Sequence, residues 1–99
     1  MLKGMQKNEE LQTKNEVWFL YILECTDGTY YTGITKDLKR RFEEHNSGKG
    51  ARYTRPRIPV TLVYQESCAS RSAALIRECA IKALPKQQKK ELIQQTQSL

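Results

Sequence analysis

The chain has 99 residues, with 17 lysines and arginines against 11 acids, a net charge of +6, and 38% hydrophobic residues. That length closes one modest core, so two domains are not expected. The longest apolar run, Val17 to Leu23, is far too short to cross a bilayer, and no apolar segment at the N-terminus has the form of an export signal; a soluble, cytoplasmic protein with no membrane partner is the expectation. Three cysteines, Cys25, Cys68 and Cys79, make an odd number without Cys-x-x-Cys spacing, which disfavours a disulfide framework or a thiolate zinc site and leaves them as small reduced packing residues.

In chain order, residues 1–16 are polar with only scattered Leu2, Met5 and Leu11, and read as a flexible tail ahead of a single domain over residues 17–97. Val17 to Leu23 is continuously apolar and rich in β-branched and aromatic types, the pattern of a strand buried on both faces and central in its sheet. "CTDGT" at 25–29 signals a hairpin, since Asp-Gly supplies the positive φ of a tight turn. A two-residue loop would pair Thr26 with Thr29 and send Tyr21 and Tyr31 to opposite faces. A three-residue loop ending in a left-handed Gly28 pairs Cys25 with Thr29, sets Tyr21 opposite Gly33, and puts both tyrosines on one face. The second register gives Gly33 a purpose, because a ring can lie across a strand glycine.

Residues 37–47 read as a helix, with Asp37 suited to its N-terminus and Gly48 just past its end. At about 100° per residue, Leu38, Phe42, Arg41 and His45 share about a third of its circumference, so Arg41 and His45 border the apolar stripe. "NSGKGARYTRPRIP" at 46–59 is a loop rich in glycine, proline and arginine, and "VTLVY" at 60–64 alternates as a third strand. Ser70 suits the N-cap of a helix reaching about Leu84, and Pro85 the first turn of another running into "KQQKKELIQQ". The order β-β-α-β-α-α predicts an α+β fold, a small three-stranded antiparallel sheet flanked by helices. The helix after Ser70 is apolar around most of its circumference, through Leu75, Ile76, Cys79, Ala80, Ile81 and Ala83, with a narrow polar edge holding Arg71, Glu78 and Lys82. On its own, Glu78 reads most simply as an i,i+4 partner of Lys82.

The charge is concentrated. Residues 36–57 hold Lys36, Lys39, Arg40, Arg41, Lys49, Arg52, Arg55 and Arg57 against Asp37, Glu43 and Glu44, a local net charge of +5. A basic band among tyrosines suits a phosphate backbone, because each bound phosphate releases condensed counterions. A charge run alone is equally the mark of a solvated surface.

These parts resemble the GIY-YIG nuclease family. Leu20-Tyr21-Ile22 stands at the first motif and Tyr31-Thr32-Gly33 at the second. Arg41 follows Leu38 by three, His45 comes a turn later, and Glu78 lies on a later helix. The likeness spans about residues 17 to 95, and "HNSGKGARYTR" is similar to the small stand-alone bacterial branch. In two places the chain departs from the pattern. Leu20 replaces the glycine of the first motif, and the polar amide that many catalytic members carry near the domain's end falls in "KQQKKE", where Gln87, Gln88 and Lys90 are all candidates.

The resemblance implies a divalent-metal-dependent DNA endonuclease with Tyr21, Tyr31, Arg41, His45 and Glu78 as its catalytic set and a role in DNA processing or repair. Magnesium needs only one or two protein carboxylates when a phosphate and waters complete its shell, so Glu78 alone can hold one Mg2+ or Mn2+. Arg41 offers a planar fork to the non-bridging oxygens. A tyrosine, Tyr21 or Tyr31, takes or positions the proton of the attacking water, helped by its partner or by relay to His45. Lys39, Arg40, Lys49, Arg52 and Arg55 would contact backbone and Tyr53 would stack on a base. The partner is DNA, branched, nicked or single-stranded, with RNA open. The competing reading is a nucleic-acid-binding module without turnover, on DNA or structured RNA.

Overall fold

A computed structural model of the chain describes residues 17–97. The tail expected over residues 1–16 lies outside the described residues. Strands β1 (Trp18–Glu24), β2 (Tyr30–Thr35) and β3 (Thr61–Cys68) form an antiparallel sheet in the order β2-β1-β3. Helices α1 (Leu38–Asn46), α2 (Arg71–Lys82) and α3 (Lys86–Gln97) complete the expected β-β-α-β-α-α order of an α+β fold. The central place of β1 explains its unbroken apolar run: Leu20, Tyr21, Ile22 and Leu23 are all buried, alternately under one helical cover and the other.

The hairpin adopts the three-residue loop. Cys25 N–H donates to Thr29 at 2.8 Å, Gly28 takes φ +83, and the Asp27 carboxylate accepts from the Thr29 N–H at 3.1 Å and hydroxyl at 2.6 Å. Tyr21 therefore faces Gly33, and Leu23 faces Tyr31. β3 runs farther than its alternating apolar stretch, to Cys68, because β1 offers partners back to Trp18. The register along β3 also shifts by one residue between Ile22 and Leu23, leaving Val63 as a bulge.

The two faces of the sheet are covered differently. Leu20 and Ile22 pack beneath Ile81 of α2 and Ile93 of α3 in a wholly apolar cluster. On the other face Tyr21, Leu23, Cys25 and Val60 meet Leu38 and Phe42 of α1 and the loop that follows it. α1 starts at Asp37, whose carboxylate accepts the Arg40 N–H at 3.1 Å, and α2 starts at Ser70, whose hydroxyl accepts the Ala73 N–H at 3.1 Å. The apolar circumference of α2 is not matched by burial. Only Ala74 and Ile81 of this helix are buried, while Ile76 is 72% exposed and Leu75 and Cys79 face outward. A twelve-residue helix on a three-stranded sheet touches it along one stripe, which is too little to cover its remaining apolar residues. Cys79 is accordingly no packing residue, whereas Cys25 is buried and Cys68 half-buried, all three as free thiols.

Candidate active site

The β1–β2 register builds the floor of the site. A Cβ at Gly33 would lie 2.6 Å from the Tyr21 hydroxyl oxygen and 3.1 Å from the Tyr31 ring, so the Tyr21 side chain crosses β2 where β2 has no side chain. The rings of Tyr21 and Tyr31 stand with centroids 6.3 Å apart. From above, the edge of the α1 stripe delivers Arg41 and His45. His45 is wholly buried, its Nε2 3.0 Å from the Tyr21 hydroxyl and its Nδ1 2.8 Å from the Thr54 hydroxyl. Its ring lies 5.2 Å from that of Tyr31. The backbone of Gly50 is pressed against this imidazole, since a Cβ there would fall 2.3 Å from Nδ1. Arg41 donates to the Glu44 carboxylate at 2.9 Å, and its positive charge acts on the Tyr21 phenol.

Burial sets the protonation of the central pair. It pushes the Tyr21 phenol up to about 12, a rise opposed by Arg41 and reinforced by Tyr31 and Glu78. Burial also brings the His45 imidazole down to about 4, assisted by the positive charge of Arg41 and countered by Glu44. Both groups are therefore neutral at pH 7, sharing one hydrogen bond. The bond from Arg41 holds the Glu44 carboxyl below its ordinary range, so the arginine keeps a counterion beside the site.

Glu78 comes from the helix on the other face. β2 is an edge strand and α2 packs against it, which lets this carboxylate influence Tyr21 from beyond the sheet's edge. Its side chain is 18% exposed and pairs with Lys82 at 3.3 Å, the i,i+4 contact read from the sequence. Among the described residues no three His, Cys, Asp or Glu side chains gather as a metal cage. A single half-buried carboxylate fits a magnesium-type ion, which keeps most of its waters, and does not fit the full set of protein ligands a structural zinc site requires.

The basic residues divide. Lys39 pairs with Glu43 at 2.8 Å, and Arg40 with Asp37 at 3.9 Å and Glu44 at 4.0 Å, on the exposed side of α1. Lys49 and Arg52 are exposed on the loop, whereas Arg55 turns back to the Gly50 carbonyl at 3.2 Å. Tyr53 is brought to the site, its ring 20° from parallel with Tyr31 at 6.3 Å, with the Arg57 guanidinium 3.9 Å from its centroid. Arg57 also bonds Asp27 of the hairpin at 2.9 Å and the Tyr53 carbonyl at 2.7 Å, tying the loop to the turn.

A depression of about 250 Å³ opens beside Tyr31, lined by Tyr30, Thr32, Tyr53, Lys82 and Lys89 as well. Lys89 was not among the sequence candidates. Gln87 and Gln88 are exposed, and Lys90 borders a different depression with Glu24 and Tyr30. The signal for Lys89 was present, since it stands three and four positions before Leu92 and Ile93 on the inward stripe of α3. Thr54 and Gly50 had none. A loop threonine and a loop glycine become informative only once the loop is seen folded over His45.

Residues 17–91 match the family model of the GIY-YIG catalytic domain. The chain belongs to the GIY-YIG family. It is 55% identical to a UPF0213 protein of Desulfotalea psychrophila over 83% of this chain and 76% of that one. A UPF0213 protein of Halobacterium salinarum is 56% identical over 74% of this chain and 95% of its own length. Two solution NMR structures share the fold. A UPF0213 protein of Bacillus halodurans has a TM-score of 0.52 at 44% identity, covering 79% of this chain and 83% of that one. A protein of E. faecalis has a TM-score of 0.58 at 37% identity, covering 85% and 90%. GIY-YIG proteins form a nuclease superfamily that generally uses a divalent metal, so this GIY-YIG chain has a nucleic acid as its implied substrate. Among the described residues no helix is long and apolar enough to cross a membrane.

Proposed function

We propose that this GIY-YIG domain hydrolyses phosphodiester bonds of DNA as a divalent-metal-dependent endonuclease in DNA processing or repair. The observation that carries the reading is the buried Tyr21–His45 hydrogen bond, on whose phenol the charges of Arg41 and Glu78 both act. A phenol held well above neutrality is a poor base by itself. Coupled to a neutral imidazole it acts as a relay: as the water oxygen bonds to phosphorus and the bond to the 3′-oxygen breaks, the water's proton passes to Tyr21 and the Tyr21 proton to His45 Nε2. After cleavage the protons move back, from His45 Nε2 to Tyr21 and from Tyr21 to solvent at the mouth of the site, and solvent also protonates the departing oxygen.

Tyr31, less buried than Tyr21, orients the water and the phosphate at the mouth of the site. Arg41 directs its remaining donors at the oxygens on which charge accumulates, where a lysine would lack the fork. Glu78 would hold the metal, Mg2+ or Mn2+, which supplies charge neutralisation at the phosphate when bound. Lys82 swings from Glu78 toward the substrate backbone, joining Lys49, Arg52 and Lys89 as phosphate contacts. Such a small surface favours recognition of DNA shape, at nicks, branches or ends, over base sequence.

The test incubates purified protein with supercoiled plasmid and with single-stranded, nicked and branched DNA in magnesium or manganese, alongside Glu78→Ala and Arg41→Ala. Metal-dependent cleavage that both variants lose, with salt-sensitive binding retained, supports the reading. Tight binding with no cleavage under any condition would favour a binding module instead.

A further inference from the structure

The hydrogen bonds around His45 form a chain whose direction can be worked out from proton counts. The Thr54 hydroxyl has one proton and two neighbours, His45 Nδ1 at 2.8 Å and the Ala51 carbonyl oxygen at 2.9 Å. The Tyr21 hydroxyl also has one proton, with His45 Nε2 at 3.0 Å as its partner. Suppose the imidazole proton sat on Nε2. It would then point at the Tyr21 oxygen, the Tyr21 proton would have no acceptor in this group, and Thr54 would give its proton to Nδ1 while its oxygen met the Ala51 oxygen at 2.9 Å with no hydrogen between them.

With the proton on Nδ1 every donor is matched. Nδ1–H goes to Thr54, Thr54 to the Ala51 carbonyl, and Tyr21 to Nε2. Gly50, packed directly on the ring, leaves no space at Nδ1 for a side chain, and His45 is fully buried, so Thr54 is the group that fixes this tautomer.

We propose that Thr54 is a positioning residue for the reaction: by accepting Nδ1–H while its own proton is held by Ala51, it leaves His45 Nε2 free to accept the Tyr21 proton. This rests on the nuclease reading above, and it adds the residue that makes the relay run in one direction. Replacing Thr54 removes the bias, and a fraction of molecules then presents Nε2–H to Tyr21 and cannot take its proton.

The chain has one histidine, so ring 15N chemical shifts report His45 without assignment ambiguity. The wild type is expected to show a protonated Nδ1 and an unprotonated Nε2 in the absence of substrate. Thr54→Val, nearly the same shape, should shift the pair toward Nε2–H or a mixture and lower kcat at least about 2-fold, in proportion to the Nε2–H fraction the shifts report, with KM little changed. Thr54→Ser should restore both. Nε2–H in the wild type, or a Thr54→Val protein that keeps the wild-type shifts and rate, would overturn the proposal. If Thr54→Val fails to fold, the wild-type shifts and Thr54→Ser still decide it. A wild type with Nδ1–H that cuts no substrate would count against the nuclease reading while upholding the tautomer.

Discussion

The two faces of this sheet answer to different physics. Under α2 and α3, Leu20 and Ile22 meet Ile81 and Ile93, with Thr32 opposite Ile22 and the Trp18 indole as the buried polar groups, and stability there comes mainly from apolar area and close packing. Under α1 and its loop, buried Tyr21, His45 and Thr54 stand among the apolar residues, and each polar atom has a named partner. Burying such groups costs free energy unless every bond is made, so this face is worse as a core and better as a place to hold a proton path. A molecule of this size can tolerate the second face because the first is so plainly a core.

The largest effects should separate the faces. Tyr21→Phe keeps the ring over Gly33 and removes the hydroxyl bonded to His45. Cleavage should fall at least about 100-fold, with a stability loss of about 1–2 kcal/mol in urea unfolding. Ile22→Ala, one residue along and on the opposite face, should reverse the pattern: about 2–4 kcal/mol of stability lost, with the rate per folded molecule preserved.

A step smaller is Gly50→Ala. The added Cβ would lie 2.7 Å from the His45 Cα as well as against the ring, and a backbone atom cannot move aside cheaply. About 1–3 kcal/mol of stability should go, and the His45 ring shifts should change with it.

Acid should likewise act on the polar face first. An unfolded imidazole binds its proton near 6.5, whereas burial and Arg41 hold folded His45 neutral down to about 4. Between those values the unfolded chain binds more protons, so stability falls as the pH drops through this window and the His45 contribution is flat below it. About 2–3 kcal/mol is at stake. Urea titrations at pH 7.5, 6 and 5 should show the early part of the decline, ahead of the carboxylates, and His45→Gln should lack it.

The smallest effects belong to the periphery. Lys39→Ala removes an exposed i,i+4 pair and Ile76→Ser an exposed side chain, and each should change stability by less than about 0.5 kcal/mol.

Much of this was legible in the sequence. Strand order followed from one unbroken apolar run and one Asp-Gly turn, because a central strand and a tight hairpin each leave a local signature. The gathering of Tyr21, Tyr31, Arg41 and His45 followed from a hairpin register and a helical wheel. What escaped was non-local. The exposure of Ile76 and Cys79 depends on how narrow a stripe the sheet offers α2, and the length of β3 on the partners β1 presents. The place of Thr54 depends on the path of a loop whose composition announces only irregularity.

The most direct measurement sets Tyr21→Phe against the wild type in a metal-dependent cleavage assay, with thermal unfolding followed on the same samples. A variant that stays folded and binds DNA but has lost at least about 100-fold in cleavage is the expected result. A folded variant that cuts as fast as the wild type would show that the buried phenol and its histidine serve the fold alone.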